Sequence, residues 1–155
     1  MKVLLFGNSG SGKSTLAHRM AAEHGLAHLD LDGIVWEPRK VAVQRPMAAV
    51  RADLQAFMTG QERWVIEGCY GELVRAALPF CTELWFLDPG EEKCILHCQQ
   101  RPWETHKYGS AAEQDAMLPA LLAWVRSYYH REDDWSYAVH HRIFEEFGGM
   151  KRKVG

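Results

Sequence analysis

The residues most able to do chemistry stand near the start of the chain. Gly7-Asn8-Ser9-Gly10-Ser11-Gly12-Lys13-Ser14 satisfies GxxxxGK[ST], between an apolar run at Lys2 to Phe6 and a helix-forming stretch that begins near Lys13. Such a loop draws on backbone more than side chains. Glycines let successive N–H groups turn inward around a phosphate, and the helix N-terminus adds its positive end. Lys13 then reaches the β and γ phosphates and the Ser14 hydroxyl ligates Mg²⁺, with Thr15 next in the nucleotide-binding run. The expected cofactors are ATP, or another nucleoside triphosphate, and Mg²⁺.

Acids and arginines further along the chain narrow the chemistry. Arg63-Trp64-Val65-Ile66-Glu67-Gly68 is an apolar strand ending in an acid, and a carboxylate there suits the metal's water shell, so Glu67 joins Ser14 as a metal residue. Asp30-Leu31-Asp32-Gly33 follows a short strand, and one of its acids is expected to orient an acceptor hydroxyl and take its proton, Asp30 first. Arg101 precedes a loop, and Arg131 and Arg142 lie eleven positions apart around Asp133-Asp134. Guanidinium groups on a mobile segment stabilise charge spread over a transferring phosphoryl group. Trp36, Tyr70 and Trp103 sit in or beside loops and offer apolar faces to an acceptor, with Gly68 in the adjoining turn.

These residues need a frame that gathers them at one end. Apolar strands are predicted at Lys2–Phe6, Ala27–Leu29, Arg63–Glu67 and Glu83–Leu87, with a weak polar fifth at Met150–Val154. Helices are predicted from Met47 after Pro46, over Glu91–Gln100, from Leu118 to His130 with Pro119 near the start, and from Asp134 to Phe147. Pro102 to Ser110 reads as a loop. Alternation of strand and helix predicts a three-layer α/β/α fold with a mostly parallel sheet of five or four strands and a helical lid. Ligands then gather outside the carboxyl ends of the strands.

The 155 residues suit a single domain, with an acceptor-binding segment at about 30–60 and a lid at about 101–135. A net charge of −2 carries no basic surplus for coating nucleic acid, although Lys151-Arg152-Lys153 forms a local basic cluster. No run approaches the roughly 18 to 20 apolar residues that span a bilayer, so no membrane partner and a cytoplasmic setting are expected. The four cysteines show no CxxC spacing, and Cys94, His97 and Cys98 lack an evident fourth ligand, so they read as packing residues.

Taken together the motifs resemble the adenylate kinase group of P-loop kinases, which includes shikimate and nucleotide kinases. Glu67-Gly68, the strand ending Leu87-Asp88-Pro89, and Arg131-x-Asp133-Asp134 with Arg142 match features of that group. The resemblance implies phosphate contacts for Arg131 and Arg142 and a lid role for Arg101. The phrases HLDLDGIVW, WVIEGCYG and REDDWSYAVHHRIFEEFGG are most similar to small bacterial proteins labelled adenylate-kinase-like or DNA topology modulation-related.

One departure stands out. Where adenylate kinases carry an arginine that grips the acceptor's phosphate, this chain has Gly71, with Arg75, Arg39 and Arg45 as the nearby substitutes. The chain also stops soon after its fifth strand, where the group continues into an adenine-contacting loop, so a loosely held base, a relaxed nucleotide preference or a shortened chain is expected. The expected activity is transfer of the γ-phosphate to a small acceptor, such as a nucleoside, nucleotide or polyol. A nucleotide-driven ATPase switch or DNA-associated regulator is the alternative.

Overall fold

The structure is a computed structural model that describes residues 1–38, 40 and 43–155. Five strands, β1 (Lys2–Gly7), β2 (Ala27–Asp30), β3 (Trp64–Gly68), β4 (Glu83–Leu87) and β5 (Met150–Val154), form one sheet in the order β2-β3-β1-β4-β5. All neighbouring pairs run parallel, so the sheet is parallel throughout rather than mostly so. The apolar runs explain the placement, since Val3 to Phe6 and Trp64 to Ile66 are buried on both faces. The polar β5 forms an edge, with Met150 to Lys153 exposed.

Among the described residues seven α-helices cover the sheet or extend from it: α1 (Lys13–His24), α2 (Asp32–Val35), α3 (Met47–Gly60), α4 (Gly71–Ala77), α5 (Glu91–Gln99), α6 (Ala111–Arg126) and α7 (Tyr137–Glu146). On one face Ala17 and Met20 of α1 pack on Val3, Leu5 and Val65. On the other, Val50, Leu54, Leu73 and Ile143 pack on Leu4, Phe6, Ile66 and Phe86. A smaller cluster of Cys94, Cys98 and Val125 joins α5 to α6. These are the three layers of an α/β/α fold. Among the described residues no helix is long and apolar enough to cross a membrane.

Three elements differ from their sequence expectation. Helix α6 begins at Ala111, not Leu118, because Ser110 caps it and Glu113 braces the approach: Glu113 N–H donates to Ser110 Oγ at 3.1 Å, and Gly109 N–H, one residue before the cap, donates to the Glu113 carboxylate at 2.9 Å. Pro119 therefore lies inside the helix, where it removes one backbone hydrogen bond. Helix α7 begins at Tyr137, capped by Ser136, because the backbone and side chain of Asp134 are engaged elsewhere. The Gly68–Gly71 turn runs directly into α4, where the Gly71 and Glu72 N–H groups donate to Asp134 O at 3.0 Å and Asp134 Oδ2 at 2.9 Å. A carboxylate at a helix N-terminus complements both the unpaired amides and the dipole.

The interior of the α7 layer holds a fully buried histidine. His140 Nε2 lies 2.7 Å from Cys69 O, and because a carbonyl only accepts, Nε2 carries the proton and Nδ1 accepts from Tyr128 Oη at 2.7 Å. Phe6 and Phe86 meet the ring edge-on. Burial pushes the imidazole pKa down to about 4. The unfolded chain takes up this proton near pH 6.5 and the folded chain does not, so acidification from 6.5 to 4 withdraws on the order of 3 kcal/mol of folding free energy through this residue. His140→Gln removes that sensitivity: the unfolding free energy of wild type minus variant, from urea titrations, should shrink by about that amount between pH 7 and pH 4.

Candidate active site

Because β1 lies between β3 and β4, the loop that follows it opens at the carboxyl edge of the sheet where the strand order reverses. Gly10, at φ 79°, faces Cys94 of α5 so closely that a Cβ would stand 2.3 Å from its carbonyl oxygen. Gly12, at φ 93°, has open space around it, so there the backbone angle alone requires glycine. Lys13 Nζ donates to Asn8 O at 2.6 Å and to Ser11 Oγ at 3.4 Å, bending over its own loop. Asn8 Nδ2 donates to Val125 O of α6 at 3.2 Å, His97 Nδ1 donates to Gly10 O at 2.6 Å, and Arg101 Nη2 reaches Ser9 Oγ at 3.3 Å. Cys94, His97 and Cys98 thus form the seat of the loop. Thr15 is exposed on the first turn of α1.

Ser14 and Glu67, separated by 53 positions, meet here: Ser14 Oγ donates to Glu67 Oε2 at 2.8 Å. Glu67 is 1% exposed at the end of β3, and its other oxygen accepts from His28 Nε2 on β2 at 2.9 Å. Asp30 is the register partner of Glu67 across the β2–β3 pair. A hydroxyl and two carboxylates form a hard-oxygen set that fits Mg²⁺, which commonly uses one or two carboxylates, water and substrate phosphates rather than a closed protein cage. Among the described residues no group of three His, Cys, Asp or Glu side chains forms such a cage.

The second acid of Asp30-Leu31-Asp32 anchors a separate network. Asp32 Oδ1 accepts from Tyr70 Oη, which itself accepts from Trp36 Nε1 at 2.8 Å, and Asp32 Oδ2 accepts from Lys107 Nζ at 2.8 Å. Burial alone would raise the Asp32 carboxyl, but Lys107, the Tyr70 hydroxyl and Lys13 together outweigh it and hold the group below its ordinary value. Lys107 is raised in turn: its burial pulls the other way, but Asp32, Glu104 and Asp30 together outweigh it. Asp30 differs: burial, then Asp32 and Glu67, push it up to about 6, although it accepts the Asp32 N–H at 2.9 Å. The two acids thus hold separated pKa values, as an acid–base site requires.

Beside this network lies an open groove of about 560 Å³, walled by Val35 and Met47 on one side and Tyr70, Leu73 and Arg75 on the other, with Trp135 beyond. It falls between the 30–60 segment and the Gly68–Gly71 turn. The glycine at 71 has a steric cause, since a Cβ would stand 2.6 Å from Asp134 O, so no arginine side chain fits there. Arg75 borders the groove and pairs with Glu146 at 3.4 Å, while Arg45 is held by Asp53 at 2.6 Å and Ile34 O at 2.8 Å. Arg39 lies outside the described residues.

The expected arginine cluster is not assembled. Arg131 donates to Asp133 at 2.6 Å and lies over the Trp124 ring at 4.6 Å. Arg142 is two positions, about 200° of helix, beyond the buried His140, and this phase turns it to solvent, away from the sheet. Trp103 is 46% exposed and donates to Tyr108 O at 3.0 Å within the 102–110 loop, away from the groove walls. Sequence reasoning missed Lys107, His28 and the supporting His97. For His28 a signal existed, since strand alternation puts His28 and Asp30 on one face.

No protein-family model and no curated protein matches the chain. Solved structures do resemble it. The deoxyadenosine kinase from M. mycoides with bound dATP aligns over 99% of this chain and 90% of its own at 11% identity, with a TM-score of 0.54. A gluconokinase from Sinorhizobium meliloti 1021 aligns over 99% of this chain and 82% of its own at 17% identity, with a TM-score of 0.50. At these identities the likeness establishes a shared fold.

Two outcomes follow from the charges. An ionised Asp30 destabilises the fold above its folded pKa, and that penalty fades as pH falls from about 6 toward 3.8. Asp30→Asn should therefore be more stable than wild type at pH 7 by on the order of 3 kcal/mol, with the difference gone by pH 4 in urea titrations. Lys107→Met removes the bond that ties the 102–110 loop to Asp32, and amide exchange over residues 103–109 should quicken by about tenfold in mass spectrometry.

Proposed function

We propose that this protein is a phosphotransferase that moves the γ-phosphate of ATP, or of another nucleoside triphosphate, to a hydroxyl of a small acceptor. The observation that carries this reading is the juxtaposition of a glycine loop and its lysine with two carboxylates of opposite pKa displacement, beside a groove open to a small molecule. The fold shared with a deoxyadenosine kinase and a gluconokinase supports it.

Residues 7–15 hold the triphosphate, with Lys13 released from Asn8 O to the β and γ oxygens. Ser14 and Glu67 hold Mg²⁺ and its water shell, and when bound the ion supplies charge neutralisation to the phosphates. The acceptor sits in the groove against Tyr70, which Trp36 steadies from behind, and Asp32 orients its hydroxyl. Gly68, covered by Leu31, shapes the turn rather than the groove wall. Its oxygen attacks the γ-phosphorus, the bond to the β–γ bridging oxygen breaks, and ADP leaves. Asp30, near pH 6 and so close to the working range, receives the hydroxyl proton. Residues 101–135 act as the lid, in which Arg101 is already at Ser9 and Arg131 is released from Asp133 and Trp124 on closure. Arg142 has no part in this constellation.

The β5 cations give a DNA-associated switch little support. Lys151, Arg152 and Lys153 lie over Phe144, Trp85 and Phe86 of their own chain at 4.9, 4.6 and 5.5 Å.

The decisive experiment is a screen of nucleosides, nucleotides, sugars and shikimate-like alcohols for acceptor-stimulated ADP formation. One class should stimulate turnover, and Lys13→Ala should lower kcat/KM at least about 100-fold. Stimulation by duplex DNA alone would overturn the kinase reading.

A further inference from the structure

Glu67 poses a physical problem that its proposed role does not solve. It is a carboxylate with almost no exposure, its register partner across β2–β3 is a second acid, Asp30, and among the described residues no lysine or arginine is bonded to it. Buried charge of this kind needs donors. Among the described residues it has two, Ser14 Oγ on Oε2 and His28 Nε2 on Oε1, at 2.8 and 2.9 Å. They differ in one respect. The Ser14 hydroxyl is the loop's own metal ligand in the proposed function, so its orientation is set by the metal once nucleotide binds. His28 has no such duty and stays on Oε1.

The setting of His28 is fixed from the other side as well. It stands on the edge strand β2 two residues before Asp30, and the ring of His18, one turn along α1 from Ser14, meets it edge-on with centroids 4.7 Å apart. Because a carboxylate only accepts, the nitrogen facing Glu67 carries the proton. The imidazole therefore holds one carboxylate oxygen and turns the other toward Ser14, against the repulsion of Asp30.

We infer that His28 is a positioning residue for the metal, an outer-shell donor that aims Glu67 at the Mg²⁺ held with the nucleotide on Ser14. This rests on the proposed nucleotide and Mg²⁺ role of the loop, and it adds a residue to that role. Outer-shell donors of this type govern metal affinity more than they govern nucleotide contacts, because the phosphate cradle is built from other atoms.

The test uses binding, without any acceptor. The affinity of the full chain for the non-hydrolysable ATP analogue AMP-PNP is measured by calorimetry in Mg²⁺ and in EDTA, for wild type, His28→Leu and His28→Gln. In His28→Leu the gain in affinity conferred by Mg²⁺ should fall about tenfold, while metal-free affinity stays within about twofold of wild type. His28→Gln, which keeps an N–H at the same reach, should keep most of the gain. A full Mg²⁺ gain in His28→Leu overturns the inference. So does an equal loss of affinity with and without Mg²⁺, which is what disturbed packing gives. If no acceptor ever stimulates turnover, the kinase reading fails while this result stands. If wild type binds no nucleotide, both fail.

Discussion

Acidic side chains gathered at the carboxyl ends of two neighbouring strands set the terms for the rest of this molecule. Glu67, Asp30 and Asp32 lie close together, and Asp134 lies across the groove from them at the start of α4. Each must be partnered or it raises the energy of the fold. Their partners come from every surrounding layer: Ser14 from α1, His28 from β2, Tyr70 from the turn after β3, Lys107 from the 102–110 loop, and backbone amides of α4. Satisfying them draws α1, α4 and the 102–110 loop toward one edge of the sheet, the edge where the glycine loop opens.

The two acids of Asp30-Leu31-Asp32 show how this works at close range. Asp32 collects a phenol and an ammonium and is held ionised, whereas Asp30 has a single backbone donor and two acidic neighbours, so its proton is held more tightly. The sequence pair is symmetrical in type, but the packing makes it unequal. The price in stability falls on Asp30. Burial acts oppositely on His140, which resists protonation in much the same pH window. The two opposing contributions are of similar size, so the intact protein should be much less sensitive to mild acid than either group alone implies.

How legible this was in the sequence depends on how local the cause is. The inner strands and the glycine loop announce themselves, because burial on both faces demands apolar runs and a phosphate cradle demands glycines at fixed spacing. Placing Asp30, Asp32, Glu67 and Tyr70 at one edge followed from strand ends alone. Lys107 carried no local signal. A lysine in a polar loop is ordinary, and its bond to Asp32 spans 75 positions. The start of α6 was legible and overlooked, since Ser110 and Glu113 stand at capping-box spacing.

The arginines mark where resemblance and physics part. A matching spacing of Arg131 and Arg142 suggested convergence, but helix phase is set by what the helix buries. Once His140 and Ile143 face the sheet, position 142 must face away. The same reasoning explains Gly71. Asp134 closes on the first turn of α4 from the segment before α7, and its carbonyl occupies the space that a side chain at 71 would enter. The missing arginine and the outward one thus have related causes. One lies in the contact that joins the α7 entry to α4, the other in the face that α7 turns to the sheet. With both guanidinium groups gone from these places, cationic duty at the cleft falls to Lys13, Arg101, Lys107 and Arg131 under the proposed function. Two of these come from the α5–α6 connection, so any change that frees that connection from Asp32 and Ser9 alters the charge of the cleft as well as its access.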